Sequence, residues 1–196
     1  MSADNDQLEI RNVLNGDTKA FAILVNRYKN MVFSLALQLL KNREEAEEVS
    51  QDVFLKIFKA LEKFKGDSKF STWVYRITYN TCLDQIKSNN RKQTTVVIDE
   101  INENQIRTME TALDIMDRSD REKSIKECLG KLPTEDGTLI RLFYYEELSL
   151  AEISKIVSLD KKTLKVRLFR ARKRLAVILR THLEPIQLQN YGQGNR

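Results

Sequence analysis

Three observations predict an all-α chain of two small helical domains joined by an acidic linker, the C-terminal one a helix-turn-helix. Apolar residues recur at helical spacing through most of both halves. Only 6 Gly and 2 Pro interrupt 196 residues, and 31% of the residues are charged, which favours long, surface-rich helices. Charge is also unevenly placed within a net +5: Asp99–Glu122 holds eight acids against three arginines, whereas Lys161–Arg174 holds eight basic residues and no acid. That asymmetry suits a nucleic-acid-facing end attached to an acidic spacer. The predicted boundaries are an N-terminal helical domain over 8–90, a linker over 91–121, a helix-turn-helix domain over 122–183 and a disordered tail over 184–196.

A short first helix starts near Leu8 and stops at Asn15-Gly16-Asp17. A second, from about Thr18, carries Phe21, Leu24, Val25, Tyr28, Val32, Leu35, Ala36 and Leu39 toward a core. Arg43-Glu44-Glu45 opens a third that runs to about Phe64, with a core stripe of Ala46, Val49, Val53, Ile57, Ala60 and Leu61. Its far side shows Glu44, Glu47, Gln51, Leu55 and Phe58, with Glu48 and Asp52 alongside. Acidic groups around two outward apolar residues read as a docking surface for a basic partner. A solvated acidic face is the competing reading, because carboxylates near a helix N-terminus also stabilise it through the dipole. No Glu-x-x-His accompanies these carboxylates, which argues against a di-metal bundle site.

Lys65-Gly66-Asp67-Ser68-Lys69 is a predicted loop, and Ser71 or Thr72 caps a fourth helix that ends near Ser88-Asn89-Asn90. From Phe64 to Arg76, aromatics alternate with Lys, Arg, Ser and Thr around the glycine. Single-stranded nucleic acid needs this mixture of stacking faces and phosphate donors. Core packing competes for each ring separately, with Phe64 and Phe70 the foremost candidates. Tyr75, Tyr79, Cys82 and Ile86 share one helix face, and Trp73, Ile77, Asn80 and Asp84 the other, so periodicity alone leaves open which is core.

The linker is polar and weakly periodic, although Met109–Met116 has helical spacing. Leu129, Leu132, Leu139, Ile140, Leu142 and Phe143 supply the second core, and Pro133 suits the first turn of a helix. Leu148–Val157 is a short amphipathic helix with Ser149 at its N-cap and Glu152 three residues on, the capping-box spacing. Ser158-Leu159-Asp160 breaks the pattern, and Asp160 can cap the basic helix that follows. In that helix Leu164, Leu168, Ala171, Leu175 and Ile178 form an inward stripe, opposite Lys162, Val166, Phe169, Arg170 and Lys173. Helix, three-residue turn and basic helix is the arrangement whose second helix lies in a DNA major groove. There Lys and Arg meet phosphates and guanine edges, and Val and Phe meet thymine methyls. A solvated basic helix is the competing reading of the charge run taken alone.

Neither a Gly-rich phosphate loop, a Cys/His cluster nor a nucleophile–base pair is present, so no catalysis, metal or cofactor is expected. The lone His182 falls at the end of the basic helix, and Cys82 and Cys128 read as reduced structural thiols. The N-terminus lacks the pattern of a signal peptide, and no run approaches 18 apolar residues, so a soluble, cytoplasmic protein is expected.

With both halves in view, the chain resembles a bacterial RNA polymerase sigma factor of the extracytoplasmic-function (ECF) group from Leu14 to Leu183, apart from the linker. The elements that carry this are GDTKAFAILVNRY, EEVSQDVFLKIF, KFSTWVYRITYNTCLD and LSLAEISKIVSLDKKTLKVRLFRARKRL, in the family's order. The resemblance implies a factor that binds core RNA polymerase and directs promoter recognition, DNA melting and initiation. Its first domain would be sigma region 2 and its second region 4. Glu48, Gln51 and Asp52 would then dock on the polymerase, on the same face as Leu55. The loop Phe64, Lys65, Gly66, Asp67, Ser68, Lys69, Phe70 and Ser71, with Trp73, Tyr75, Arg76 and Asn80, would open the minus-ten element and capture an unstacked base. Lys165, Val166, Phe169 and Arg170 would face the minus-thirty-five element, with Thr163, Arg167 and Arg172 nearer phosphates, beside Lys162 and Lys173 of the basic face. Implied partners are core polymerase, promoter DNA as duplex and unpaired strand, and an anti-sigma factor, with no membrane insertion by this chain. Two departures are Ser158, where the family's turn commonly has Gly, and Val166, where a small polar residue is frequent. The rival readings are a self-contained helix-turn-helix repressor, and an enzyme or adaptor using the acidic helix; neither accounts for the aromatic loop and the acidic face together.

Overall fold

The computed structural model describes residues 3–90 and 118–193; the linker stretch 91–117, with Met109–Met116, and residues 194–196 lie outside the described residues. The described chain forms α1 (Ala3–Leu14), α2 (Thr18–Leu40), α3 (Arg43–Ala60), α4 (Phe70–Asn90), α5 (Arg118–Lys131), α6 (Thr134–Ile140), α7 (Leu150–Val157) and α8 (Lys161–Gln193). Its contacts divide it into two units. One is Met1–Thr95 with Leu148–Lys161, and the other is Val96–Glu147 with Lys162–Arg196.

In the first unit α2 and α3 start where the sequence supplies a cap. Asp17 accepts from the backbone N–H of Lys19 at 2.9 Å and Ala20 at 3.4 Å, and Asn42 does the same for Glu44 at 2.9 Å and Glu45 at 3.2 Å. α2 ends at Lys41, which adopts φ +55° and donates its N–H to the Leu37 carbonyl. Leu24, Tyr28, Val32, Leu35, Ala36 and Leu39 of α2 are buried, as are Ala46, Val49, Val53 and Ile57 of α3; Phe21 and Val25 are only half-buried. α1 begins earlier than the expected Leu8, and its buried Asp6 explains how. The Asp6 carboxylate accepts from the Tyr28 hydroxyl at 2.6 Å and from Arg27, so a charge taken out of water is paired and bonded. Burial, with that carboxylate beside it, pushes the Tyr28 hydroxyl above its ordinary range.

Two boundaries around the loop differ from the sequence expectation. α3 stops at Ala60 rather than near Phe64, and a 3₁₀ turn over Leu61–Lys63 closes it, the Phe64 N–H donating to the Leu61 carbonyl at 3.0 Å. The tighter turn aims the Phe64 ring at Phe70 and Trp73, with centroids 5.3 Å away in each case. α4 begins at Phe70, and the Trp73 N–H donates to the Lys69 carbonyl, so Ser71 and Thr72 lie within the first turn and neither is its cap. The reason is the Phe70 ring, 4% exposed and packed edge-on to Tyr28 at 5.5 Å, which draws the helix start two residues upstream. α7 packs against α4 and buries Ile153 and Ile156.

In the second unit Cys128, Leu132, Leu139, Ile140, Leu142, Leu164, Leu168 and Ala171 are buried. α6 follows Pro133, whose carbonyl accepts from the Gly137 N–H at 3.0 Å. It passes into a π-helical turn over Arg141–Tyr145, which Arg141 and Glu146 close with a 3.2 Å ion pair. α8 is described to Gln193, so its backbone stays helical through most of the stretch 184–196 expected to be disordered. Along α8 the buried stripe passes from Leu164, Leu168 and Ala171 to Ala176 and Leu179, while Leu175 and Ile178 are half-buried.

Candidate functional site

Three surfaces gather the residues singled out in the sequence. The first is the outer face of α3. Glu48, Gln51, Asp52 and Leu55 are all exposed, Leu55 at 58%, and Phe58 beside them is 46% exposed while its ring meets Phe21 edge-on at 4.9 Å. A large leucine in water among carboxylates is therefore present in three dimensions, as the periodicity implied.

The second surface surrounds the loop 65–69, in the first unit. Lys65, Gly66, Asp67, Lys69, Arg76 and Asn80 are exposed, whereas Phe64, Ser68, Ser71 and Trp73 are half-buried. Gly66 takes φ +77°, which a side chain would resist, so glycine is what turns the loop. Phe70 and Tyr75 do not join the exposed group. Both are 4% exposed, on the core side with Val74, Tyr79 and Cys82, which resolves the face that periodicity left open. Phe64, Phe70 and Trp73 form one cluster with centroids 5.3–5.6 Å apart, so the buried Phe70 supports the two rings nearer solvent. A cavity of about 280 Å3 opens beside them.

Two residues of this surface were not expected from the sequence. Lys155 of α7 donates to the Asp67 carbonyl at 2.6 Å and lines the cavity, and Glu152 pairs with Lys69 at 3.0 Å. Glu152 also completes the capping box of α7, accepting from the Ser149 N–H at 2.9 Å and its hydroxyl at 2.7 Å while the Glu152 N–H donates to Ser149 Oγ. Burial alone would raise the Glu152 carboxyl, but the Ser149 bonds and the Lys69 ammonium outweigh it and hold the group below its usual value, ionised at neutral pH. Capping spacing revealed the Ser149 partnership. Nothing in the local sequence signals the Lys69 or Asp67 contacts, which join positions far apart in the chain.

The third surface lies on the N-terminal half of α8. Lys162, Thr163, Lys165, Val166, Arg167, Phe169, Arg170 and Arg172 are exposed and Lys173 is half-buried, with Val166 at 49% and Phe169 at 43%. The turn before α8 holds Ser158 at φ +54°, the left-handed conformation that glycine would adopt without strain, and the Ser154 hydroxyl donates to the Leu159 carbonyl across it. Within the second unit the cations differ in their partners. Arg167 pairs with Glu135 at 2.9 Å, Arg174 with Asp136 at 2.5 Å, and Arg172 donates to the Tyr144 hydroxyl at 3.3 Å. Lys173 stands over the Phe169 ring at 4.7 Å. Phe169 also borders an open apolar groove of about 570 Å3, lined further by Ile125, Leu129, Tyr145 and Leu179, which the wheel did not indicate.

The two thiols are buried, and burial pushes Cys82 up to about 12 and raises Cys128, which suits structural rather than reactive cysteines. Among the described residues no cluster of His, Cys, Asp and Glu could hold a metal ion, and no helix is long and apolar enough to cross a membrane.

The family pattern described as Sigma-70 region 2 matches residues 24–92, and the pattern described as Sigma-70, region 4 matches residues 122–175. The chain is 33% identical over 180 residues to the ECF RNA polymerase sigma factor SigW of Bacillus subtilis, covering 87% of this chain and 95% of that protein. It is 29% identical over 178 residues to the RNA polymerase sigma-H factor of Pseudomonas aeruginosa, covering 88% and 92%. In fold it is similar to the sigma factor RpoE of Bartonella quintana, solved in complex with the anti-sigma factor NepR. The TM-score is 0.61 at 20% identity, with 83% of this chain and 98% of that one covered.

Proposed function

The chain belongs to the extracytoplasmic-function group of bacterial RNA polymerase sigma factors, and we propose that it divides its work among the three surfaces described above. Like the family, it is an initiation factor and not an enzyme: it binds core RNA polymerase and promoter DNA and directs promoter recognition and transcription initiation. The observation that carries this function is the match to both sigma regions, in order, along one chain.

In this proposal the segment 8–90 docks on core polymerase and handles the minus-ten element, and 122–183 reads the minus-thirty-five element, with 91–121 between them. Docking falls to Glu48, Gln51, Asp52 and Leu55, supported by their shared exposure on α3. Melting falls to the loop Phe64–Ser71 with Trp73, Arg76 and Asn80. Phe64 and Trp73 offer faces for an unpaired base, and Phe70 holds those rings from the core side, where Tyr75 is buried as well. Duplex reading falls to Lys162, Thr163, Lys165, Val166, Arg167, Phe169, Arg170, Arg172 and Lys173, supported by a cationic outer face on a helix whose opposite stripe is buried. The NepR complex of the Bartonella relative motivates an anti-sigma factor as a further partner of this chain. Its place of work is the cytoplasm, where polymerase and chromosome meet.

Run-off transcription tests the whole reading. Purified chain with core polymerase and a promoter library is expected to yield discrete start sites that core alone does not produce. Tight duplex binding by the chain unaided, as a dimer and with no transcript, would favour the repressor instead. The third surface gives its own expectation. Arg170→Ala loses roughly 1–3 kcal/mol of discrimination at one base position, whereas Arg172→Ala weakens binding across sequences and lowers the salt slope by about one. Arg170 stands exposed on the outer face, while Arg172 is held sideways by Tyr144. Equal, sequence-independent losses in holoenzyme binding titrations would contradict that separation.

A further inference from the structure

The apolar groove of the second unit, about 570 Å3, is lined by Ile125 and Leu129 of α5, by Tyr144 and Tyr145 of the π-helical turn, and by Leu175 and Leu179 of α8. The π-helical turn leaves two consecutive tyrosines exposed at its edge, beside the exposed Phe169. A large apolar surface rimmed by charge marks an interaction site. The charge here has one sign. Arg172 donates to the Tyr144 hydroxyl at 3.3 Å and Lys173 stands over the Phe169 ring at 4.7 Å, so both cations are held at the rim; among the described lining residues none is acidic.

The complementary pattern stands in the chain immediately before α5. Ile106, Met109, Leu113 and Met116 recur at helical spacing, and Glu110, Asp114 and Asp117 each follow one of the last three, so an acidic row runs beside an apolar one. Methionines adapt to irregular apolar surfaces. Reach agrees with pattern. A reversal of the chain around Asp117 lays the segment back along α5, and at about 1.5 Å per helical residue Met109 comes level with Ile125 and Ile106 with Leu129. Covalent attachment also gives the segment an effective concentration on the order of millimolar at the groove, so modest contacts suffice. We propose that the groove is the docking site of this chain's own segment 106–117, seated as a short amphipathic helix with its apolar row in the groove and its acidic row against Arg172 and Lys173. The acid-rich stretch before α5 is then a working part of the second unit rather than plain spacer, and the docking needs neither polymerase nor DNA.

Hydrogen exchange of the free, full chain, followed by mass spectrometry, tests this. Isolated helices of such length are marginal in water, so a synthetic peptide of the same sequence is the unprotected reference. In the full chain the amides of 109–116 are expected to exchange at least roughly tenfold more slowly than in the peptide, the worth of burying one leucine, and equally at low and high protein concentration. Tyr145→Asp on the groove and Leu113→Asp on the segment should each remove that protection, while the amides of α6 and the N-terminal half of α8 stay protected and show the fold intact. Arg172→Glu with Lys173→Glu should weaken protection several-fold, and adding Glu110→Lys with Asp114→Lys should restore it, a rescue that a damaged fold would not give. Peptide-like exchange in the free wild-type chain overturns the proposal and leaves the groove to a separate protein. Protection that survives both aspartate variants overturns it too, by placing the segment elsewhere, and protection that rises with protein concentration assigns the groove to a second copy instead.

Discussion

Replacing Gln51 and Asp52 together with lysine is expected to abolish association with core RNA polymerase and leave the fold intact. Both side chains are exposed in the middle of α3, away from the Asn42 cap and opposite the buried Val49, Val53 and Ile57. Surface changes of this kind usually cost within about 0.5 kcal/mol of stability. At a complementary interface the same change sets cation against cation. Juxtaposed like charges cost several kcal/mol, and each ~1.4 kcal/mol is a tenfold loss of affinity. Leu55, at 58% exposure, would stay in place but lose its charged surroundings. Co-purification with core polymerase, alongside a thermal melt, reads the result. A double variant that melts like wild type and still co-purifies removes α3 from the docking role.

The second large effect is on promoter opening. Changing Lys65, Ser68 and Lys69 to alanine should leave closed-complex binding nearly unchanged, because the proposal assigns duplex reading to α8, and should impair strand separation. The lost Lys69–Glu152 pair is a minor concern for stability: the Lys69 side chain is 66% exposed, and such pairs are worth about 0–1 kcal/mol. What the variant removes, on the proposed reading of the loop, is cationic and hydroxyl support for an unpaired strand beside Phe64 and Trp73. Unpairing and unstacking a base costs roughly a few kcal/mol, so a promoter already mismatched over the minus-ten region should recover much of the lost activity. Permanganate reactivity of thymines on duplex and mismatched templates distinguishes the steps. Wild-type opening of the duplex by the triple variant would remove the loop from melting.

Much of the fold was legible because its signals are local. Caps at Asp17, Asn42 and Ser149 need only one oxygen within three residues of a backbone N–H, so helix starts could be read from residue type and spacing. The buried stripes of α2 and α3 follow from the helical period alone. The start of α4 was misplaced for the opposite reason. Ser71 and Thr72 are good caps by type, but the packing of Phe70 against Tyr28, a residue 42 positions away in the chain, sets the boundary. The candidate surfaces divide the same way. The cationic face of α8 and the acidic face of α3 are periodic patterns, whereas the wheel of α4 gave two equivalent faces and only burial of Tyr75, Tyr79 and Cys82 distinguished them.

By itself the sequence determined the helical class, the order of the elements, their polar and apolar faces and the family to which the chain belongs, since each rests on residue type and short-range spacing. Tertiary structure alone decided which surfaces meet. The apolar stripe of α7 says that Ile153 and Ile156 are buried, and it does not say against what. The structure packs α7 on α4, bringing Glu152 to Lys69 and Lys155 to the Asp67 carbonyl. It likewise gathers Ile125, Tyr145, Phe169 and Leu179 around one open groove, a neighbourhood no pattern of residue types announces. The physical reason is that burial is non-directional: the hydrophobic effect rewards removing a stripe from water whatever covers it, and only the packed chain selects the partner.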